Sequence, residues 1–138
     1  MLRIATIGTS MITDDFIQVV NANDQAAFVG TLSRDANRGT AFTVEHGGER
    51  NFTSLDELAA AADVDAVYIG SPNALHYEQA LACIAGGKHV IVEKPFCATE
   101  AQALEVFRAA EAAGVVALEA MRPLHDPAFH AIEDALGE

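Results

Sequence analysis

Short apolar runs alternate with longer amphipathic stretches along the whole chain, and this alternation predicts strands and helices in turn. Leu2 to Ile7 is an apolar run that predicts a buried first strand, with Gly8-Thr9-Ser10 as its turn. Ile12, Phe16, Ile17, Val19 and Val20 then supply the apolar face of a helix, and Asp14 and Asp15 fall in its first turn, where acids suit the dipole. A second strand is expected over 26–32, ending at Ser33-Arg34-Asp35, followed by a weak helix over 36–45 that Gly47-Gly48 stops. Asn51-Phe52 reads as a very short strand. Ser54-Leu55-Asp56-Glu57 fits a capping box, with Ser54 as the cap and Glu57 reaching back, for a helix running through Ala62. The pattern continues with a strand over 66–70, the turn Ser71-Pro72-Asn73, and a helix over 74–85 stopped by Gly86-Gly87. A strand over 88–92 follows. Thr99-Glu100-Ala101-Gln102 is a second capping box, for a helix ending near Gly114. A strand over 115–120 and a helix over 126–136 complete the series.

Strands that alternate with helices pair in parallel, with helices on both faces of the sheet. The expected fold is therefore α/β, a doubly wound parallel sheet in the order 3-2-1-4-5-6. In such a sheet, ligands bind beyond the carboxyl ends of the strands. The run Lys88-His89-Val90-Ile91-Val92-Glu93-Lys94-Pro95 carries a buried strand straight into an acid, a base and a proline. Proline stops the ladder, so Lys94 is placed where a bound ligand would lie. Taken alone, Glu93 and Lys94 could equally end a strand in solvent.

Composition narrows the function. The 138 residues suffice for one domain with a real core, and 51% are hydrophobic, many of them alanine. A net charge of −12 argues against nucleic acid and anionic membrane surfaces as partners. It does not exclude a phosphate-bearing cofactor, because local donors hold a phosphate while salt screens distant carboxylates. Cys83 and Cys97 form no C-x-x-C pair and read as free thiols of a reducing compartment. The first apolar run is too short for a signal peptide and nothing approaches a membrane span, so a cytoplasmic protein is expected.

Three turns carry candidate chemistry. Gly8-Thr9-Ser10-Met11-Ile12-Thr13 occupies the six positions of a dinucleotide-binding G-x-G-x-x-G turn but keeps only its first glycine. An ordinary strand–helix turn would look much the same, yet Ser10 and Thr13 are small, and helix-start amides bind phosphate whatever the side chains. Ser33-Arg34, at the end of the second strand, offers a hydroxyl and a guanidinium that suit a 2′-phosphate, which favours NADP. Asp35, one place on, keeps NAD open. Ser71-Pro72-Asn73-Ala74-Leu75-His76 follows the fourth strand. Asn73 serves there as a helix cap, and a lone His76 one turn into a helix is more often structural than catalytic. Arg122, after the last strand, would hold an acid or polyol or sit in solvent. His125 and His130 lack a third ligand, so no metal site is expected.

Taken in order, Gly-x-Ser-x-Ile-Thr, Ser-Arg, Ser-Pro-Asn-x-x-His, Ala-Gly-Gly-Lys-His-Val-Ile-Val-Glu-Lys-Pro and Glu-Ala-Met-Arg-Pro resemble the glucose–fructose oxidoreductase / inositol dehydrogenase (Gfo/Idh/MocA) family. The resemblance spans essentially all the chain and is most specific from Gly86 to Pro95. It implies an N-terminal Rossmann domain that binds NAD or NADP, followed by a C-terminal domain that completes the substrate site and usually builds the oligomer. Carried over residue by residue, Gly8, Thr9, Ser10, Met11 and Ile12 would line the pyrophosphate, and Ser33 and Arg34 the adenosine ribose. Ser71, Pro72, Asn73 and His76 would lie along the cofactor, with Arg122 on the same edge. Glu93 and Lys94 would sit by the nicotinamide ribose, and Lys94 would be the catalytic residue, orienting the substrate oxygen and stabilising developing alkoxide.

The resemblance further implies that residues 1–138 are the cofactor domain, with about 121–138 leading into a substrate domain that this sequence lacks. No residue matches the Asp/His proton-transfer pair of that domain. The expected function is the cofactor-binding part of an oxidoreductase moving hydride between a nicotinamide and a sugar, polyol or related hydroxy compound, with little turnover by itself. The alternative is a non-catalytic NAD(P)-binding sensor or interaction module, which would not need Lys94. Another Rossmann enzyme, such as a methyltransferase, would have no role for Glu93-Lys94-Pro95. Lys94 is expected at the open mouth of the cleft. Exposed apolar surface there predicts a homo-oligomer, or else a disordered C-terminal helix around Phe129, Ile132 and Leu136.

Overall fold

The computed structural model describes residues 1–137; Glu138 and the His125 side chain lie outside that description. The strands are β1 (Leu2–Ile7), β2 (Ala26–Leu32), β3 (Arg50–Phe52), β4 (Ala66–Ile69), β5 (His89–Val92) and β6 (Ala117–Glu119). They form one sheet in the order β3-β2-β1-β4-β5-β6, parallel at every pairing. This is the expected Rossmann order. The helices are α1 (Met11–Asn21), α2 (Ala36–Glu45), α3 (Leu55–Ala60), α4 (His76–Ala85), α5 (Glu100–Ala113) and α6 (Pro127–Leu136).

Period-two alternation sorts the strand residues between two cores. Ala5, Ile7, Val67, Ile69, Val90 and Val92 pack under α3, α4 and α5. Ile4, Phe28 and Ala66 pack with Ile17 and Val20 of α1 on the opposite face. The second core is smaller because α1 and α2 cover only part of that face. Beyond α1 the sheet is open, and Leu118 of β6 is 53% exposed. α6 is a formed helix that buries none of its residues, with Ile132 and Leu136 largely exposed. The expectation of a disordered C-terminal helix is therefore corrected: the apolar stripe is present on a regular helix.

Local polar groups end these elements with small departures from expectation. Ser54 Oγ accepts the Glu57 amide, but Glu57 Oε2 accepts from Thr53, at the amide and the hydroxyl, one residue beyond the cap itself. Thr99 and Gln102 repeat this, with Gln102 Oε1 accepting the Ala98 amide. α3 stops at Ala60, short of Ala62, because Ala61 turns extended.

The run Gly86 to His89 proves to be a folding device. A side chain at Gly86 would place its Cβ 2.2 Å from the Ala59 carbonyl oxygen, so glycine lets α4 end against α3. Lys88 is buried, and its Nζ donates to the carbonyls of Ala61 and Val64 at 2.5 and 2.9 Å, satisfying the end of α3. His89 Nδ1 accepts the Val116 amide and guides β6 into the sheet. Removing the ammonium strands buried carbonyls. Lys88→Met is expected to lower the unfolding free energy by about 1–3 kcal/mol in urea titrations, with no effect on the turns at the opposite edge, because Lys88 lies at the far end of β5 from Glu93 and Lys94. At that same far edge, Arg3 binds Asp65 through its amide and guanidinium and holds the carboxyl down at about 2. A depressed carboxyl stabilises the fold above its unfolded value and loses that contribution as pH falls. Stability should therefore drop between about pH 4 and about pH 2, and urea midpoints of Arg3→Ala should show a shallower drop.

Candidate active site at the carboxyl edge

Parallel strands bring every post-strand turn to one edge. Gly8, after β1, has φ +106°, and its amide donates to the Leu32 carbonyl at 2.9 Å. A Cβ there would stand 2.7 Å from the Gly70 carbonyl oxygen, and the left-handed backbone favours glycine independently. The missing glycines of the turn are replaced by a different fit. Thr13 is fully buried, with its hydroxyl 3.0 Å from Ser10 Oγ. It packs against Gly70 at the end of β4, where a Cβ would lie 2.6 Å from Thr13 Oγ1. Glycine has moved to the facing strand end. Ser10 precedes α1 without a side-chain cap bond, so the first amides of the helix keep their donors for another acceptor. From β2, buried Thr31 holds this turn, with its hydroxyl 3.2 Å from the Gly8 carbonyl.

These turns wall a cleft of about 640 Å³. Of the expected residues it is lined by Gly8, Thr9, Ser10, Ser33, Arg34, Ser71 and Pro72. Arg38, Leu55 and Gln79 line it too and went unmarked in the sequence. Arg38 is in the first turn of the helix capped by Asp35, whose side chain accepts its amide, and its guanidinium lies in the same cleft as Arg34. Its Nη2 donates to the Thr9 carbonyl at 2.8 Å, joining α2 to the glycine turn. The available signal was a second arginine in the first turn of the helix that Asp35 caps, directly after Ser33-Arg34.

A second hollow, of about 820 Å³, continues the edge and is lined by Ile12, Glu93, Lys94, Met121, Arg122 and Phe129. Lys94 is exposed there. Glu93 is 8% exposed. Its Oε1 accepts the Tyr68 hydroxyl at 2.6 Å and its Oε2 accepts the Lys94 amide at 3.2 Å. Tyr68 stacks on Phe16, with ring centroids 4.0 Å apart. Burial, then the Glu93 carboxylate, push the Tyr68 phenol far above its usual range, so it stays a donor. Arg122 is exposed, with Nη1 3.9 Å from Asp15 of α1.

Three expected residues are placed differently. Met11 is 82% exposed and outside both hollows. Asn73 caps nothing; it starts a 3-10 turn, Asn73–Leu75, that runs into α4. His76 opens α4, fully buried, with both ring nitrogens beside backbone carbonyls. Burial raises both thiols, Cys83 to about 12, so neither offers a thiolate at neutral pH. Among the described residues no helix is long and apolar enough to cross a membrane.

The edge therefore offers an uncapped helix start, two guanidiniums and a glycine turn with no room for a side chain. That donor set fits the phosphates of a dinucleotide, with a free ammonium at the far end.

Comparison with known proteins agrees. The sequence pattern of an oxidoreductase family with an NAD-binding Rossmann fold (GFO_IDH_MocA) matches residues 2–121. A scyllo-inositol 2-dehydrogenase (NADP(+)) of Bacillus subtilis is 41% identical over 99% of this chain and 42% of its own length. A 1,5-anhydro-D-fructose reductase of Ensifer adhaerens is 40% identical over 100% of this chain and 41% of its own. The crystal structure of KijD10, a 3-ketoreductase from Actinomadura kijaniata in complex with NADP and TDP-benzene, superposes with a TM-score of 0.93 at 31% identity, over 99% of this chain and 43% of that one. The chain thus spans about two fifths of the length of these relatives. Sequence pattern, fold and edge geometry converge: the chain belongs to the Gfo/Idh/MocA family of oxidoreductases, in the part that forms the NAD-binding Rossmann fold.

Proposed function

We propose that this chain is the cofactor-binding domain of an NADP-dependent oxidoreductase that acts on the CH–OH group of a sugar, polyol or related hydroxy compound. The observation that carries this is the single row of groups from Ser33, Arg34 and Arg38, past Gly8 and Ser71, to Glu93 and Lys94. The names of the inositol dehydrogenase and the anhydrofructose reductase support the substrate class, and the NADP in the first name and in the 3-ketoreductase complex supports the cofactor.

In this reading Ser33, Arg34 and Arg38 hold the 2′-phosphate, and Gly8, Thr9, Ser10 and Ile12 receive the pyrophosphate. Ser71 and Pro72 flank the cofactor from β4. The nicotinamide, when bound, supplies or accepts the hydride. Glu93, fixed by Tyr68, shapes the floor of the second hollow. Lys94 directs its ammonium toward the substrate oxygen and stabilises the charge that develops there. About 121–138, with Arg122 at their start, lead toward a separate substrate domain, and the present chain alone binds cofactor while turning over little.

Arg34→Ala is expected to weaken NADP+ binding more than NAD+ binding, by about 1–3 kcal/mol for a charge-assisted contact. Calorimetric titration with both nucleotides reads this directly. Equal losses would mean that Arg34 does not read the 2′-phosphate.

A further inference from the structure

His76 is among the largest side chains with no exposed surface, and its ring stands between two turns of the ligand edge. Nδ1 lies 2.9 Å from the Pro95 carbonyl oxygen, and Nε2 lies 2.9 Å from that of Ser71. Both partners are carbonyl oxygens, which only accept, and a neutral imidazole carries a single N–H, so one nitrogen donates while the other is packed against its carbonyl. Pro95 directly follows Lys94, so one end of the ring abuts the turn that carries the exposed ammonium, and Ser71 lines the nucleotide cleft, so the other end abuts the turn beside the cofactor. The Ser71 hydroxyl is tied to α4 as well, donating to Gln79 Oε1 at 2.5 Å. Buried contacts of this kind resist separation, because a carbonyl that loses its partner away from water bears its full desolvation penalty.

We propose that His76 is a positioning residue: its ring fixes the Lys94 turn relative to the Ser71 turn, so that nucleotide and ammonium are held in one register. The imidazole itself does not touch the cofactor. This rests on the reading of the cleft as a nucleotide site. The residue type suits the task, since imidazole is a rigid ring that donates from one nitrogen and fills the space up to the second carbonyl with the other. Asn imitates only the Nδ1 side and Gln only the Nε2 side, so each keeps one contact and releases the other.

The test exploits the lysine count. Lys88 and Lys94 are the chain's two lysines, and Lys88 is buried on backbone carbonyls. Reductive methylation with 13C-formaldehyde therefore labels Lys94 and the N-terminus, and the Lys94 signal is followed by NMR as NADP+ is added. In the wild-type chain, that signal should shift with the same saturation curve as cofactor binding. In His76→Gln and in His76→Asn, NADP+ affinity should stay within about threefold, while the Lys94 shift at saturation falls to less than about half. A full Lys94 shift in both variants overturns the proposal. So does loss of NADP+ binding in variants whose circular dichroism is native, since His76 would then be a direct contact. Failure of the wild-type chain to bind NADP+ would overturn the nucleotide reading itself, and this proposal with it. The unsubstituted chain gives an independent reading should neither variant fold. A buried ring that donates to a carbonyl has its N–H proton in slow exchange with water, and fast exchange of the His76 ring N–H also overturns the proposal.

Discussion

One close approach governs the ligand edge: the turn after β1 lies against the end of β4 with no room for a side chain at either contact. Gly8 faces the Gly70 carbonyl, Gly70 faces the Thr13 hydroxyl, and the Gly70 amide donates to the Ile7 carbonyl at 2.9 Å. A methyl group at Gly8 would have to displace backbone, which has nowhere to yield in a close-packed interior. Because β1 and β4 are central neighbours, their contact sets the depth of the cleft on one side and the level of the Ser71 turn on the other. From Ser71, the buried His76 ring reaches Pro95, so the same constraint extends to the lysine.

Charge is arranged against the overall balance. The chain carries a net charge of −12, yet Arg34, Arg38, Lys94 and Arg122, four of its eight lysines and arginines, line the two hollows. An anion approaching that edge meets local donors at hydrogen-bond range, while most carboxylates act from distances that salt screens. The remaining cations are largely engaged in holding the fold. Arg3 binds Asp65, Arg50 binds Asp63, and Lys88 closes α3. The division explains why overall acidity is compatible with a phosphate-binding edge.

The strand order and the placement of Gly8, Ser33, Arg34, Ser71 and Lys94 on one edge were legible because they follow from local periodicity plus the handedness of parallel connections. Those rules operate over one strand and one helix at a time. Other features depend on contacts between distant segments and left weaker traces. The replacement of two motif glycines by Ser10 and Thr13 made sense only once Gly70 was seen facing Thr13. Lys88 and His89 belonged to the most specific part of the family pattern, yet they satisfy α3 and β6 at the opposite edge. Arg38 was within reach as a second arginine in the first turn of the helix that follows Ser33-Arg34. His76 was read in two ways, as structural from its place in a helix and as lying along the cofactor from the family resemblance, and its buried ring stands between two backbone carbonyls.

The central claim is that a single NADP molecule spans both hollows of this edge. A crystal structure of the chain grown with NADP+ tests it most directly. The account predicts the 2′-phosphate among Ser33, Arg34 and Arg38, the pyrophosphate against the Gly8 turn and the start of α1, and the nicotinamide beside Glu93 and Lys94. A nucleotide bound in the reverse direction, or one seated on the open face over Tyr68 and Leu118, would contradict it.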